Sequence, residues 1–293
     1  MTTFEGALTA LITPFRDGKV DDKALCELVE RQIAGGINGL VPCGTTGESV
    51  TLTEEEHAHV VKTVVTQTKG RVPVVAGAGS VSTAHTIELC QMARANKCDG
   101  VLLVVPYYNR PTQAGLVAHY KAVLSAVSIP AILYNIPGRT GTDLSLETLE
   151  KLSDVKELVA IKEATGNVLR SQAIICKFGN RFSVLSGDDS LTLAILAVGG
   201  NGVISVTSNL LPKQVTDVCT LYRRGETQKA RELHLKLVPV HDAMFIESNP
   251  GPIKAAIAAQ GHIAKEVRLP MVWPTPATEE SVRDVLARSG FVA

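Results

Sequence analysis

Short apolar runs alternate along most of the chain with longer stretches in which apolar positions recur every three to four residues. The first pattern suits buried strands, and the second suits helices with one apolar face. In order, the runs predict strands over Gly6–Thr13, Gly39–Gly44, Val72–Gly79, Gly100–Pro106, Pro130–Pro137, Leu158–Ala164, Phe182–Asp188 and Gly202–Ser208. The longer stretches predict helices over Asp21–Ala34, Thr53–Thr68, Ser82–Ala95, Thr112–Val127, Ser145–Leu152, Asn167–Phe178, Ser190–Val198 and Pro212–Arg224. Several helices carry their own start signals. Thr53 is followed by Glu54, Glu55 and Glu56, a capping box with an acidic first turn; Glu147 follows Ser145 closely; Pro212 suits a first helical position.

Eight such strand–helix units with apolar strands predict a parallel sheet closed into a (β/α)8 barrel, the TIM-barrel class of α/β fold. An open doubly wound sheet is the competitor. It is disfavoured because no G-x-G-x-x-G follows the first strand and because the repeat number matches closure. Past Arg224 the pattern turns wholly helical, roughly over Glu226–Phe245, Pro252–Ala259 and Thr278–Ser289. The chain therefore divides into a barrel over residues 1–224 and a C-terminal helical extension over 225–293, with no low-complexity linker between them.

Composition narrows the function. Hydrophobic residues make up 45% and charged residues 20% of the 293, as expected for an ordinary protein with a sizeable core. The 29 basic and 29 acidic side chains cancel, and no basic block is present, so neither nucleic acid nor an anionic membrane is an expected partner. The six cysteines form no C-x-x-C pair, which argues against zinc or redox motifs and for reduced thiols in the cytoplasm. No signal peptide or membrane span is expected.

The chemistry enters with Lys162, inside the otherwise apolar run Leu158–Thr165. Burying an ammonium is costly, and if this side chain enters a cramped apolar barrel its pKa falls and a nucleophilic amine results. A fall from ~10.4 to neutrality requires roughly 4–5 kcal/mol of differential stabilisation. A lysine that reaches solvent or pairs with a carboxylate is the structural alternative. In a (β/α)8 barrel, active sites form at the C-terminal strand ends. Those ends carry Pro42–Ser49, Pro106–Pro111, Ile132–Gly141, Lys162 and Ser186–Asp189, a polar set that favours amine catalysis on a carbonyl substrate. By strand alternation Lys162 shares its face with Ala160 and Ala164, Glu163 points away, and Tyr134 on the adjacent strand can approach laterally.

The turn Gly44-Thr-Thr-Gly47 offers hydroxyls and backbone N–H groups for an anion, although it lacks the lysine of a Walker loop. Arg139, in what reads as a flexible turn, suits a second carboxylate, and a solvated surface arginine is an equal alternative from the turn alone. Tyr107 and Tyr108 form an aromatic pair in a long loop, for which packing at a subunit interface is the simpler role. His57 and His59 face different directions on one helix, which does not suit a shared metal. Asp188 and Asp189 lack a third carboxylate, and helix capping accounts for Asp189 at least as well as a magnesium site.

The segments Gly44-Thr-Thr-Gly-Glu-Ser49, Tyr107-Tyr-Asn-Arg-Pro111, Tyr134-Asn-Ile-Pro-Gly-Arg-Thr-Gly141 and Ile161-Lys-Glu-Ala164 together resemble the dihydrodipicolinate synthase family of pyruvate-dependent class I aldolases, essentially end to end. The resemblance implies a metal-independent lyase with no cofactor beyond a covalent imine between Lys162 and pyruvate. Its enamine would attack L-aspartate 4-semialdehyde, giving 4-hydroxy-tetrahydrodipicolinate for lysine and diaminopimelate biosynthesis. By the same resemblance Tyr134, Thr45 and Tyr108 form a proton relay, with Tyr108 supplied by a neighbouring subunit. Thr46 and the main chain of Ile204 hold pyruvate, with Gly187 among the substrate-binding positions, and Arg139 receives the semialdehyde carboxylate. The implied assembly is a homotetramer of tight dimers, or a dimer.

One departure concerns regulation. Lysine-inhibited members bind lysine near the positions of Ser49, His57, Val81, His85 and Tyr107, where they carry an asparagine and a glutamate in place of Val81 and His85 and a histidine in place of Glu54. Weak or absent lysine feedback is therefore expected. Rival readings are N-acetylneuraminate lyase or a 2-keto-3-deoxy sugar acid aldolase of the same superfamily, a metal-dependent aldolase, and a non-catalytic ketoacid-binding barrel.

Overall fold

The computed structural model describes residues 4–291. Eight parallel strands form its centre: β1 (Gly6–Ala10), β2 (Gly39–Val41), β3 (Val75–Gly77), β4 (Gly100–Val104), β5 (Ala131–Asn135), β6 (Leu158–Glu163), β7 (Ser183–Ser186) and β8 (Gly202–Ser205). Hydrogen-bonded neighbours run β2-β1-β8-β7-β6-β5-β4-β3. A parallel bridge between Leu40 and Val74 joins the two ends, with Leu40 N–H donating to the Pro73 carbonyl at 2.9 Å. The sheet is thus closed, as the repeat count predicted.

Around it lie α1 (Asp22–Ala34), α2 (Glu54–Thr68), α3 (Thr83–Ala95), α4 (Gln113–Ala126), α5 (Leu146–Leu152), α6 (Val168–Phe178), α7 (Thr192–Ala197) and α8 (Pro212–Arg223). The start signals act as the sequence suggests. Thr53 and Glu56 form a reciprocal capping box, and Asp21, Ser82, Thr112, Ser145 and Asn167 each accept a backbone N–H of the first turn. Each such cap contributes about 1 kcal/mol.

Strand alternation divides the core in two. Phe4, Leu8, Val41, Val75, Leu102, Ile132, Tyr134, Ala160, Leu185 and Ile204 fill the barrel, while a larger cluster packs strands against helices. Three C-terminal helices follow: α9 (Thr227–Ala243), α10 (Gly251–Ala259) and α11 (Pro276–Ser289). Of these, α9 packs on α8, and α11 packs against both α9 and α10; the turn between barrel and extension falls at Arg224–Glu226.

Two local features depart from the sequence reading. Phe15–Arg16 pairs antiparallel with Lys19–Val20 across Asp17 and Gly18, both at positive φ, a two-residue hairpin that was not predicted. Several strands are also shorter than their apolar runs, because the last apolar residues already belong to the loops. Among the described residues no helix is long and apolar enough to cross a membrane.

Candidate active site

On β6, Lys162 stands opposite Tyr134 of β5 in the parallel register. Both side chains point into the barrel, and the Lys162 Nζ lies 4.1 Å from the centroid of the Tyr134 ring. Lys162 is only 5% exposed, and among the described residues no carboxylate approaches its Nζ within 4.0 Å. Burial lowers its pKa from 10.5 to about 8; the Asp189 charge opposes that shift and the Arg139 charge adds to it. At pH 7 about one amine in ten is then neutral, against a few in ten thousand for an unperturbed lysine.

Its neighbours make room. Ala160 lies in the same inner layer with Ala164 packed against it. Gly187, at the end of β7, sits so close that an added Cβ would come within 3.1 Å of Lys162 Cε and 2.5 Å of Ala164 Cβ. Glu163 faces the other way, as alternation requires, where it binds Arg170 and Asn135 and leaves the amine alone. Tyr134 is also buried, which pushes its phenol up to about 12, opposed by the Arg139 charge and by hydrogen bonding with the Thr45 side chain. It therefore holds its proton at neutral pH.

The loop after β2 carries the residues expected to bind an anion. Cys43 and Glu48 adopt positive φ at either side of Gly44–Gly47, and Thr13 Oγ1 donates to the Gly47 carbonyl at 2.7 Å. Among the described residues the backbone N–H groups of Thr45 and Thr46 have no acceptor, and Thr46 is buried. This leaves donors available to a carboxylate. Arg139 lies not in a flexible turn but in one turn of helix, Pro137–Thr140, closed by Gly141 at positive φ; its Nη2 donates to the Asn249 carbonyl at 3.4 Å. Proline at the first position and the Thr140 hydroxyl bonds to Ile136 and Thr142 fix this turn.

A cavity of about 510 Å³ opens on this end of the barrel, with Thr45, Tyr107, Tyr134 and Arg139 in its wall. Lys162, Thr46, Gly187 and Ile204 do not line it, and Ile204 belongs to the inner barrel layer. The structure brings Lys162, Tyr134, Thr45, Arg139 and Gly187 together at one end of the barrel. Tyr108 is not brought in: it is 92% exposed, at φ +65.

Sequence reading missed the contribution of the C-terminal region. Asn249 Nδ2 donates to Thr46 Oγ1 at 3.0 Å, and the buried Lys254 ammonium donates to Glu48 and to the Glu266 carbonyl. The Arg268 N–H donates to the other Glu48 oxygen at 2.9 Å. The only signal was the turn-forming Asn249-Pro250 step. The reading of Asp189 also needs correction. Asp188 is the cap, accepting from Ser190 N–H, whereas Asp189 accepts from Ser205 Oγ and from the backbone of Val206 and Thr207, fixing the end of β8.

His57 and His59 do diverge, toward the Gly77 carbonyl and Asp22 respectively. Glu54, His85 and Glu88 place ligand atoms within 4.8 Å of one another; both carboxylates are exposed, and Glu54 and His85 line the same cavity as Tyr134. All six cysteines are unpaired, and burial pushes Cys90, Cys98 and Cys219 up to about 12, leaving them poor nucleophiles.

The model of the dihydrodipicolinate synthetase family matches residues 3–288. A 4-hydroxy-tetrahydrodipicolinate synthase of Nitratidesulfovibrio vulgaris is 50% identical over 290 residues, covering 99% of each chain. One from Citrifermentans bemidjiense is 52% identical over 268 residues, covering 92% of each. The solved dihydrodipicolinate synthase of Acinetobacter baumannii, chloride inhibited and complexed with pyruvate, matches with a TM-score of 0.97 at 42% identity, over 99% of this chain and 100% of that one.

Proposed function

The chain belongs to the dihydrodipicolinate synthetase family, a family of Schiff-base-forming class I lyases, and from that premise we propose that it condenses pyruvate with L-aspartate 4-semialdehyde to 4-hydroxy-tetrahydrodipicolinate. The observation that carries this reading is a buried lysine with a lowered pKa against the ring of a protonated tyrosine, Lys162 and Tyr134.

The neutral Lys162 amine adds to the pyruvate carbonyl, and loss of water leaves an imine. Removal of a methyl proton gives the enamine, whose carbon attacks the aldehyde. The amino group of the adduct then displaces Lys162 and closes the ring, so one water is released overall. Tyr134 carries protons between these steps, with Thr45 beside it. Thr46 and the backbone N–H groups of the loop hold the pyruvate carboxylate, the Ile204 main chain borders it, and Gly187 leaves the lysine stem its space. Arg139 receives the semialdehyde carboxylate. Two anionic substrates thus meet two separate anion sites, and no cofactor takes part.

Tyr108 completes the relay from a second copy of the chain. An exposed tyrosine in left-handed backbone costs roughly 1–3 kcal/mol, a strain that suits a side chain held out toward a neighbour. A tight dimer suffices for this, and a pair of such dimers gives the homotetramer. Six unpaired thiols fit a reducing cytoplasm.

Turnover of pyruvate with L-aspartate 4-semialdehyde, measured beside cleavage of N-acetylneuraminate and a 2-keto-3-deoxy sugar acid and with EDTA present, tests the reading. The condensation is expected to exceed both cleavages by orders of magnitude and to survive EDTA. Faster cleavage of either sugar acid would overturn it.

A further inference from the structure

Asn249 is 5% exposed and lies just before α10, far in sequence from the strand-end motifs. Its amide Nδ2 donates to Thr46 Oγ1 at 3.0 Å, while its backbone carbonyl accepts from Arg139 at 3.4 Å. One residue of the helical extension therefore touches both anion-binding side chains. The segment is anchored beside that contact: Lys254, one turn into α10, donates to Glu48 two residues beyond Thr46.

A hydroxyl has one proton and accepts through its lone pairs, whereas an amide NH2 can only donate. At this contact Thr46 Oγ1 must therefore be the acceptor, and among the described residues its own proton has no other acceptor. Were an acceptor in the place of Nδ2, the hydroxyl would spend its proton there and present lone pairs to the substrate. We propose that Asn249 is a positioning residue which, by donating to Thr46, turns the threonine proton toward the pyruvate carboxylate and so sets affinity for the oxoacid. The inference rests on the Thr46 role given above. The Asn249 Oδ1 is buried without a partner, so the amide is held in place by its one donated bond and by its backbone.

The test reads the pyruvate concentration that half-saturates borohydride trapping, together with steady-state constants, in the full-length protein. Loss of a hydrogen bond to a charged oxygen corresponds to about tenfold or more in affinity. Asn249→Ala should raise KM for pyruvate by roughly that factor, leaving kcat and KM for the aldehyde within about threefold, because the carbonyl that binds Arg139 is backbone. Thr46→Ala should show a similar rise, and the double variant should be no worse than Thr46→Ala alone, since residues acting through one contact are not additive. Thr46→Ser, which keeps the hydroxyl, should remain sensitive to Asn249→Ala. Additive effects, or an Asn249→Ala that raises both KM values together with a lowered melting temperature, would overturn the proposal in favour of a general structural role. Unchanged trapping in Asn249→Ala would also overturn it. Absence of trapping in the unaltered protein would instead sink the imine chemistry itself.

Discussion

Lys162 and Lys254 are both taken out of water, at 5% and 0% exposure, and both lie over an aromatic ring, Tyr134 at 4.1 Å and Phe15 at 4.3 Å. They differ in what else surrounds the charge. Lys254 has a carboxylate in direct contact, a carbonyl at 3.1 Å and nothing to react with. Burial lowers its pKa too, but Glu48 opposes through its charge and a hydrogen bond. Lys162 has no such partner, and its nearest charges act from a distance. A buried lysine with a partner holds a structure together, and one without a partner is free to become a nucleophile. The two regions are also connected, because the Glu48 that Lys254 neutralises sits in left-handed backbone at the end of the loop bearing Thr45 and Thr46.

The sharpest way to break this comparison is to convert each lysine to methionine. Lys162→Met should lower turnover by at least ~10⁴-fold, since the nucleophile is gone. It should at the same time raise the melting temperature, because the shift from 10.5 to about 8 corresponds to about 3 kcal/mol against the buried ammonium. Lys254→Met should do the opposite. It strands Glu48 in the interior and should cost roughly 3–5 kcal/mol in stability, read as a lower denaturation midpoint. If both variants lose stability alike, the distinction between the lysines fails.

A smaller effect concerns pH. The reactive form of Lys162 is the neutral one, so its fraction grows as pH rises toward the lowered pKa. A kcat/KM for pyruvate that climbs about tenfold per unit below pH 8 and flattens above it is expected. Tyr134, pushed up to about 12, should not titrate in that range. Replacing Arg139 by methionine removes a charge that lowers the lysine pKa, so the midpoint should move to higher pH. Movement to lower pH would contradict this.

The smallest expected effect is that of lysine on the rate. Ser49, Glu54, His57, Val81, His85 and Tyr107 share one cavity wall, with His85 Nε2 3.7 Å from a Glu54 oxygen. The carboxylate available to an ammonium is thus on α2, already facing a histidine. A lysine titration should show weak or no inhibition, and strong inhibition would refute that expectation.

Much of this was legible in the sequence because strand and helix periods are local. Alternation alone put Lys162 and Ala160 on one face and Glu163 on the other, and the repeat count predicted closure. The Asp17-Gly18 turn was a hairpin signal, but its flanks are two residues each, too short for any period to register. Arg139 read as flexible because glycines flank it, whereas a proline and a threonine hydroxyl fix its turn. Asn249 and Lys254 lay outside reach for a different reason. Their partners, Thr46 and Glu48, are more than 200 residues away, and only the packing of the extension onto the barrel brings them together. Asp189 and Asp188 exchanged roles because adjacent carboxylates look alike until the loop path is known.

The most direct test is borohydride reduction in the presence of pyruvate followed by peptide mapping. A single reduced pyruvyl adduct should appear on Lys162, none should appear on Lys254, and Lys162→Met should abolish labelling. An unmodified Lys162, or an adduct carried by a different lysine, would contradict the assignment of the reactive amine.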